Sequence, residues 1–447
     1  MDRHPFRVLL AIGALFAVAY GASLVALKKP SGQIVLGDAL AHYVQLRSMV
    51  FDRDLQFGNE YRHIFGVPEG SDLDKGIAIQ HGTPTGHLRN YMPVGPALMW
   101  APLFLVVTAL VWIANLFGAG YPLDGYARAF QAAAGFSGIA AAAAGACFAY
   151  AAAATIASRR AAFWAALATW LASSTIYYSV ISPTYSHAAS MLAVSAFWCV
   201  WLRSRDRQTV PRYAMLGLLT GVCALMRWQD AILLVVPLLD AAWHWREHRA
   251  AGTLARIAAV LVSALVAFLP QIWVWQVLYG QPFVIPQGSS FMQWGSPALA
   301  AVLFSDNHGL FTWTPIVALG LIGLVPLTRR QPLAGVAAIA FVVLSWYVNA
   351  AVIDWWAGEA FGARRFISCF PVFVIGLAAL FERWRESPRV LATIAAVFIG
   401  YTFLLLLQYQ AFMHGLRAVV PYPRGVVDLW FWRFRVPFDL LRWLIER

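Results

Sequence analysis

One short stretch of the chain, LGDALAHYVQLRSMVFDRDLQF, concentrates side chains that could do chemistry. It contains three aspartates, Asp38, Asp52 and Asp54, with His42 and Arg47 among them. A carboxylate held beside a hydroxyl group can act as a general base. The rigid fork of N–H donors on arginine suits a phosphate group. The stretch is therefore either a solvated cap or the working end of an enzyme.

The spacing predicts a helix that begins at Gly37-Asp38, with Asp38 as the N-cap. On that helix two stripes would form, an apolar one of Ala39, Tyr43, Leu46 and Val50 and a polar one of Asp38, His42, Gln45 and Asp52. The pattern predicts a helix that lies on a membrane with its polar face towards water. Asp54 follows Asp38 by 16 residues, about 24 Å of helix, so the two share a site only if the chain folds back. The alternatives are that Asp38 is only a cap and that Asp52 and Asp54 only form a solvated turn.

Other polar stretches lie where apolar runs begin or end. HGTPTGHLRNYMPVGPALMWAP brings two histidines, Arg89 and a proline-bearing helix start, and two histidines without a third ligand are a weak metal signal. SDNHGLFTWTP holds His308, which either contacts a phosphate or ends a turn. ALMRWQDAIL places Arg227 and Asp230 between two short apolar runs, where they either pair with each other or line a pocket.

The elements that must position these residues are membrane helices. The chain has 447 residues, of which 60% are hydrophobic and 12% charged, half the charge density of a typical soluble domain. Twelve apolar runs follow one another, near residues 7–27, 93–117, 127–157, 161–181, 184–202, 213–226, 231–243, 257–279, 310–327, 333–352, 366–381 and 390–409. We therefore expect one all-α membrane domain over residues 1–447, with about 11–13 transmembrane helices.

The arginines indicate which loops face the cytoplasm. Most lie in short connections between apolar runs, as cytoplasmic loops require, and no basic stripe interleaved with aromatic residues suggests a nucleic-acid partner. With the N-terminus inside, residues 28–92 form a large outer loop and residues 410–447 an outer, interfacial tail. The first apolar run is longer than a signal-peptide core, which favours a retained span. The runs at 93–117 and 127–157 lie between an outer loop and an inner loop, so the chain must cross the membrane an odd number of times there. Two runs are an even number, so either one is re-entrant or the region crosses three times.

Two arginines in the stretch DWWAGEAFGARRF are unexpected. Arg364 and Arg365 lie on the predicted outer face, where the positive-inside rule disfavours cations. They either hold a phosphate or extend to lipid headgroups. Trp355 in the same stretch suits a membrane interface, and the two glycines allow close approach of the backbone.

In this order the motifs resemble those of the C-type (GT-C) integral-membrane glycosyltransferases, which use polyprenyl-phosphate-linked sugars as donors. The matching pieces are GDALAHYVQLRSMVFDRDLQFGNEY after the first span, YMPVGPALMWAP, and the later NHGLFTWTP and WWAGEAFGARRF. The resemblance, which extends over most of the chain, implies a GT-C-like bundle with amphipathic helices in the first outer loop. It also implies a catalytic Asp at Asp38 and cations for the lipid phosphate at Arg364 and Arg365. The soluble C-terminal domain of some members is missing, which leaves acceptor recognition open.

The resemblance predicts an inverting hexosyl- or pentosyltransferase in which Asp38 deprotonates an acceptor hydroxyl. The candidate substrate-binding residues share the outer face: His42, Tyr43, Arg47, Asp54, Arg89, Arg227, His308, Trp355, Glu359, Arg364 and Arg365. Some members need a divalent metal such as Mg or Mn, for which Asp54 is the candidate ligand. The expected partners are a polyprenyl-phosphate sugar, a glycan, lipid or protein acceptor, and membrane lipid. The expected location is the bacterial inner membrane, with the active site facing the periplasm.

Three other functions remain open from the sequence. A transporter or flippase of lipid-linked glycans would show repeated halves and polar residues near the middle of the bilayer, whereas the polar residues here cluster outside. A glycan ligase or polymerase would carry its large outer loop late in the chain, whereas the large loop here comes first. In a non-catalytic assembly subunit, the acidic residues would be helix caps only.

Overall fold

In a computed structural model, the described residues are 4–26, 33–68, 73, 82–245 and 250–446. Over these residues the chain is helical, with two isolated β-bridges and no strand. His81, one histidine of the predicted weak metal signal, and several other residues of the 28–92 loop lie outside this range.

Seventeen α-helices make up the described part of the chain. The first eight are α1 (Pro5–Ala26), α2 (Asp38–Arg47), α3 (Gly58–Phe65), α4 (Gly95–Leu116), α5 (Arg128–Ala153), α6 (Arg159–Leu171), α7 (Ser186–Arg203) and α8 (Val210–Met226). The others are α9 (Val235–Trp243), α10 (Ala250–Tyr279), α11 (Ala301–Phe304), α12 (Leu310–Trp313), α13 (Ile316–Arg330), α14 (Pro332–Ala350), α15 (Phe370–Phe381), α16 (Pro388–Met413) and α17 (Val436–Ile445). A π-helical turn, Ser48–Asp52, continues α2, and 3-10 turns, Trp228–Leu234 and Arg364–Cys369, lead into α9 and α15.

Each of the twelve predicted apolar runs is helical over most of its length. In the described part of the chain, seven helical segments are long and apolar enough to cross a membrane: α1, α4, α5, α10, α14, Arg364–Trp384 and α16. Large apolar side chains on these helices are exposed, such as Leu15 on α1 and Leu110 on α4, as expected of surfaces that meet lipid. The protein is therefore an all-α polytopic membrane protein, and this prediction is confirmed.

The bundle has two opposite ends. The end of α1 meets the start of α5, where Arg128 donates to the Leu24 carbonyl. The start of α1 meets the end of α5, where Phe6 packs edge-on against Tyr150. We name the first end, which holds α2, the α2 face. We name the opposite end the basic face after its arginines: Arg7, Arg159, Arg160, Arg203, Arg212, Arg256, Arg329, Arg330, Arg383, Arg385 and Arg389.

Both chain segments that flank helix α4 lie at the α2 face. Just before it, the Pro93 carbonyl accepts a hydrogen bond from His42, and after it the Gly125 carbonyl accepts one from Tyr43, the next residue of α2. The chain thus leaves the α2 face along α4 and returns to the same place. The region between residues 93 and 157 holds two helices, of which α5 reaches the basic face, so the alternative of three crossings is wrong.

Apart from α4, eleven helices of the described chain alternate in direction between the two faces: α1, α5 to α10, and α13 to α16. Close contacts define these directions. Helices α5 and α7 run parallel, because Gly138 lies against Pro183 and Gly145 against Met191. Such packing needs small residues, since a Cβ on Gly138 would lie 1.8 Å from the Pro183 carbonyl oxygen. Because eleven is an odd number of passes, the start of α1 and the end of α16 lie on opposite faces. The start of α1 lies at the basic face and the end of α16 at the α2 face.

A buried ion pair stabilises the basic face. Asp240 on α9 is 1% exposed and accepts hydrogen bonds from Arg212 (2.7 Å) and Trp201 (2.8 Å). Asp240→Ala would leave the Arg212 guanidinium buried without its carboxylate, which costs about 3–5 kcal/mol. We expect a clearly lower thermal unfolding midpoint in detergent, whereas Glu386→Ala, at an exposed ion pair, should melt like the wild type. Equal midpoints for the two variants would show that the buried pair does not stabilise the fold.

Candidate functional site

Asp38 is the first residue of α2, at the α2 face. Gly37 precedes it as the N-cap, with φ 60° and ψ −141°, a backbone conformation that favours glycine. The predicted helix start is confirmed, but the cap is Gly37 and not Asp38. The Asp38 carboxylate instead forms an ion pair with Arg364 at 2.8 Å, while 42% of its side chain stays exposed. Asp38 is therefore held by a distant part of the chain and is still accessible.

Arg364 is fixed from several directions. It donates to the Ala357 carbonyl (3.0 Å), and its guanidinium carbon lies 5.3 Å from the centre of the Tyr185 ring. Ala357 has φ 63°, which is rare for a residue with a side chain, and Gly358 follows with φ 64°. A turn with an unfavourable backbone conformation thus presents its carbonyl to Arg364, and such strain is often found at functional sites.

Arg365 is held by Asp354, which accepts hydrogen bonds through its backbone carbonyl (2.6 Å) and its carboxylate (2.7 Å). The side chains of Arg364 and Arg365 are only 13% and 14% exposed. Both guanidinium groups point into the protein. This geometry agrees with the phosphate-binding alternative better than with extension to lipid headgroups.

A buried polar cluster adjoins these two arginines. Arg227, at the end of α8, donates to the Gln229 side chain (3.0 Å) and the Arg365 carbonyl (3.4 Å). Asp230 is 1% exposed and accepts a short hydrogen bond from Ser190 on α7 (2.5 Å). Arg227 and Asp230 lie within electrostatic range of each other and are both linked to Ser368, so they belong to one buried polar cluster.

The site contains three guanidinium groups and three carboxylates, from Arg227, Arg364, Arg365, Asp38, Asp230 and Asp354. The three guanidinium groups lie close enough to oppose one another's charge. Asp38 and Asp354 are 42% and 41% exposed, so both carboxylates can turn towards water. An incoming phosphate could then take their place on Arg364 and Arg365 at little cost in desolvation.

Two buried histidines face the same cluster. His42 lies within electrostatic range of Asp38 and Arg227, and His187 within range of Arg227. His42 Nδ1 donates to the Pro93 carbonyl (2.8 Å), while His42 Nε2 and His187 Nδ1 have no partner among the described residues. Burial lowers the pKa of His42 to about 4, so at pH 7 the ring is neutral and Nε2 is an acceptor. Such an atom suits a hydroxyl group of a ligand.

The prediction that α2 turns a polar face to water is wrong. His42 and Gln45 are fully buried, like the apolar residues Ala39, Tyr43 and Leu46. The reason is that backbone carbonyls just before α4 accept hydrogen bonds from these side chains: His42 donates to Pro93 and Gln45 to Met92, at 3.1 Å. Helix α2 is therefore enclosed on all sides except near Asp38.

Three predicted binding residues lie along or beyond α2, away from Asp38. Tyr43 binds the connection after α4, and Arg47 pairs with Asp52 and with buried Glu60 at 3.0 Å. Asp54 accepts a hydrogen bond from Ser48 at 2.6 Å. The chain turns at Arg53, where φ is 61°, and comes back to Ser48 and Arg47, which follow Asp38 by ten and nine residues. These residues are therefore not brought together with Asp38, and their contacts stabilise the first loop.

His308 is 3% exposed and binds protein through both ring nitrogens. Nδ1 lies 2.8 Å from the Trp356 carbonyl, and Nε2 lies 2.9 Å from the Tyr422 hydroxyl. It therefore joins the segment around Ala357 to the C-terminal tail. Glu359 is exposed and lies within electrostatic range of Tyr422.

The remaining two predicted residues lie at the edge of the site. Trp355 is half-buried, packs against the main core and makes an edge-on contact with Trp356 at 5.7 Å between ring centres. Arg89 lies over the Tyr91 ring at 6.0 Å, near the end of α10.

Several residues of the site were not predicted from the sequence: Tyr178, Tyr185, His187, Ser190, Asp354 and Ser368. A signal was present for some of them. The stretch TYSHAAS opens an apolar run with polar residues, as the other candidate stretches do. Asp354 opens the stretch that contains Arg364 and was not singled out.

No group of three or more His, Cys, Asp or Glu side chains is arranged to hold a metal ion in the part of the chain that the structure describes. Asp54 is bound to Ser48 and lies apart from the arginine cluster. Of the acidic residues singled out from the sequence, Asp38 and Asp230 have carboxylates at the site. Metal dependence remains a prediction.

Gly37→Ala should disturb the site directly. A Cβ on Gly37 would lie 2.5 Å from the Tyr185 hydroxyl oxygen, and the backbone has a positive φ. We expect displacement of Asp38 and at least a tenfold loss of activity, since a shift of about 1 Å costs about 100-fold at catalytic groups. The measurement is turnover together with thermal unfolding.

Two variants show whether the loss of activity comes from the close contact with Tyr185 or from the backbone strain. Gly86→Ala also places Ala at a positive φ (83°), but its Cβ would meet nothing within 4 Å. Gly86→Ala should therefore keep its activity, and Gly37→Ala/Tyr185→Phe should recover part of what Gly37→Ala loses. An inactive Gly86→Ala variant would show that the loss does not come from the contact with Tyr185.

Comparison with known proteins identifies no family. No protein-family model and no curated protein matches the chain. It is similar to the solved structure of the archaeal oligosaccharyltransferase AglB from Archaeoglobus fulgidus in complex with an inhibitory peptide and a dolichol-phosphate, with 11% sequence identity and a TM-score of 0.46. The match covers 98% of this chain and 54% of that one, so the chain spans about half the length of that structure. A likeness this distant says nothing about activity.

Proposed function

We propose that the protein is a membrane glycosyltransferase that moves a sugar from a polyprenyl-phosphate donor to an acceptor hydroxyl. The observation that carries this proposal is the ion pair of Asp38 and Arg364 beside the buried polar cluster of Arg227 and Asp230. Such a transferase needs a base, cations for the phosphate and hydrogen-bonding groups for the sugar. Asp38, the arginine cluster and the two histidines provide all three, and the order of the GT-C-like sequence motifs supports the same reaction.

The chemistry is a single displacement. The acceptor oxygen attacks the anomeric carbon and forms the new glycosidic bond, while the bond from that carbon to the phosphate oxygen breaks. The electron pair leaves with the polyprenyl phosphate, and the Asp38 carboxylate takes the hydroxyl proton. Attack from the side opposite the phosphate inverts the anomeric centre.

Arg364 has two partners in this scheme. It holds Asp38 in the present structure, and the donor phosphate would compete for the same guanidinium. Binding of the donor would therefore loosen the ion pair and leave the Asp38 carboxylate free to accept a hydrogen bond from the acceptor hydroxyl. Arg365 and Arg227 would stabilise the negative charge that develops on the leaving phosphate.

The buried polar cluster around Arg227 and Asp230 would bind the sugar. His42 Nε2 and His187 Nδ1 lack partners, as do Asp230 Oδ1 and Asn349 Nδ2, within the described residues. Buried polar atoms without partners are costly, so a ligand with several hydroxyl groups would satisfy them. These atoms include both acceptors and a donor, which is what sugar hydroxyl groups require.

The membrane position follows from the two faces. The basic face fits the cytoplasmic side by the positive-inside rule, which puts the α2 face and Asp38 on the outer side, in bacteria the periplasmic side of the inner membrane. Exposed apolar residues of α4, such as Leu105, Leu110 and Ile113, would contact lipid next to α2. A long polyprenyl chain could therefore reach the site from the bilayer.

The decisive experiment supplies membranes containing the full chain with a panel of labelled polyprenyl-phosphate hexoses and pentoses. Appearance of one label on an acceptor, with release of polyprenyl phosphate, supports the transferase. Movement of an intact oligosaccharide would indicate a ligase or polymerase. Movement of the lipid-linked sugar across liposome membranes, without cleavage from its phosphate, would indicate a flippase and contradict the proposal.

A further inference from the structure

A second candidate site lies at the basic face. A cavity of about 500 Å³ opens between the starts of α1 and α6 and the ends of α5 and α7. Four basic residues line it, namely His4, Arg7, Arg159 and Arg203, and no acidic residue among the described ones does. The start of α6 adds the positive end of a helix dipole to this charge. The cavity is therefore suited to an anion.

The arginines of this cavity have no ion-pair partner in the part of the chain that the structure describes. They are Arg7, Arg159 and Arg203, and all three are exposed. The acidic residue closest to the start of α6, Glu382, is engaged by the Ser158 backbone (2.8 Å) and by Arg385 (3.1 Å). An anion in the cavity would thus contact arginines whose charge is not balanced by any carboxylate of the described residues.

The surroundings of the cavity distinguish a lipid from a soluble anion. Phe6 lines the cavity and is 46% exposed, and Leu10, one turn further along α1, is 54% exposed. An apolar strip on a membrane helix therefore leads out of a basic pocket. The headgroup of a lipid could lie among the arginines, with an acyl chain along α1.

We propose that this cavity binds the headgroup of an anionic phospholipid from the leaflet at the basic face. Basic pockets between membrane helices on the cytoplasmic side are suited to such headgroups. The site is separate from Asp38 and Arg364, which lie at the opposite end of the bundle. Whether it is occupied is therefore independent of the proposed transferase activity.

The test uses the purified full chain in a neutral detergent, with added cardiolipin, phosphatidylglycerol or phosphatidylcholine. Native mass spectrometry should show retained anionic lipid and little phosphatidylcholine. Arg159→Ala/Arg203→Ala should weaken anionic-lipid binding about 30-fold, since each arginine contributes about 1 kcal/mol. Arg329→Ala/Arg330→Ala removes the same charge from the same face at the end of α13 and should bind lipid like the wild type.

Three results would overturn the proposal. Equal losses in the two double variants would mean that the lipid senses only the charge of the whole face. Equal retention of phosphatidylcholine would mean that the headgroup is not recognised, and full competition by inorganic phosphate would mean that the site takes a soluble anion. If the Arg159→Ala/Arg203→Ala protein does not fold, the wild type answers the question with a photo-crosslinking phosphatidylglycerol. Crosslinks near Phe6 and Tyr150 support the site, and crosslinks only elsewhere contradict it.

Discussion

Asp38→Asn is expected to reduce sugar transfer by about 100- to 10,000-fold, the contribution of a positioned general base, without unfolding the protein. Asparagine has nearly the same shape and its carbonyl can still accept a hydrogen bond from Arg364, which now lies 2.8 Å from the carboxylate. It cannot take the proton of the acceptor hydroxyl. The measurement is the rate of label transfer by purified protein, with thermal unfolding recorded on the same preparation.

Asp354→Asn is the matched control for this prediction. Asp354 is paired with Arg365 as Asp38 is with Arg364, and the two carboxylates are almost equally exposed. The control removes one negative charge from the same site, so it should lower activity only modestly. A wild-type rate for Asp38→Asn would show that another group is the base. Equal losses in both variants would show that the charge of the cluster matters and not the identity of the base.

Arg364→Ala is expected to weaken binding of the polyprenyl-phosphate donor by about 10- to 150-fold. That range corresponds to the roughly 1.5–3 kcal/mol of a hydrogen bond to a charged group. The variant also removes a cation that would face the phosphate as it leaves, so the turnover number should fall as well. Donor affinity can be measured by binding of a labelled donor to protein in detergent, and turnover by label transfer at saturating donor.

Two further variants make this prediction specific. Arg364→Lys keeps the charge but not the fork of donors, and should recover only part of the affinity. Arg417→Ala removes an exposed arginine from the chain after α16, at the same end of the bundle, and should bind donor like the wild type. If Arg364→Ala binds donor with unchanged affinity, the phosphate does not contact Arg364.

The membrane helices could be predicted from the sequence because the bilayer imposes one length and one composition on every span. The run near residues 93–117 satisfies both criteria, yet the chain before and after α4 lies at the same face. Hydropathy describes the surroundings of a helix and not its direction. The direction of α4 is set by hydrogen bonds from His42 and Tyr43 to its two flanks, which are tertiary contacts.

The candidate site was predictable only in part for a similar reason. Asp38 and Arg364 were recognised by residue type and motif, but their ion pair joins distant parts of the chain. The burial of His42 could not be read from helical periodicity, because an apolar stripe does not reveal that α4 covers the opposite side as well. Asp354 was overlooked, since its role depends on a turn whose shape comes from the positive φ of Ala357.

The ion pair between Asp38 and Arg364 also has a consequence for biosynthesis. Asp38 leaves the ribosome early, just after the first membrane helix, whereas Arg364 follows only after α14 has been made. Through most of translation Asp38 therefore lacks the Arg364 guanidinium as a partner. The first loop stays beside the membrane without this contact while the later helices insert. Nascent chains arrested before Arg364 should hold inserted helices and an unformed site. The newly made protein would thus become competent for chemistry in one late step.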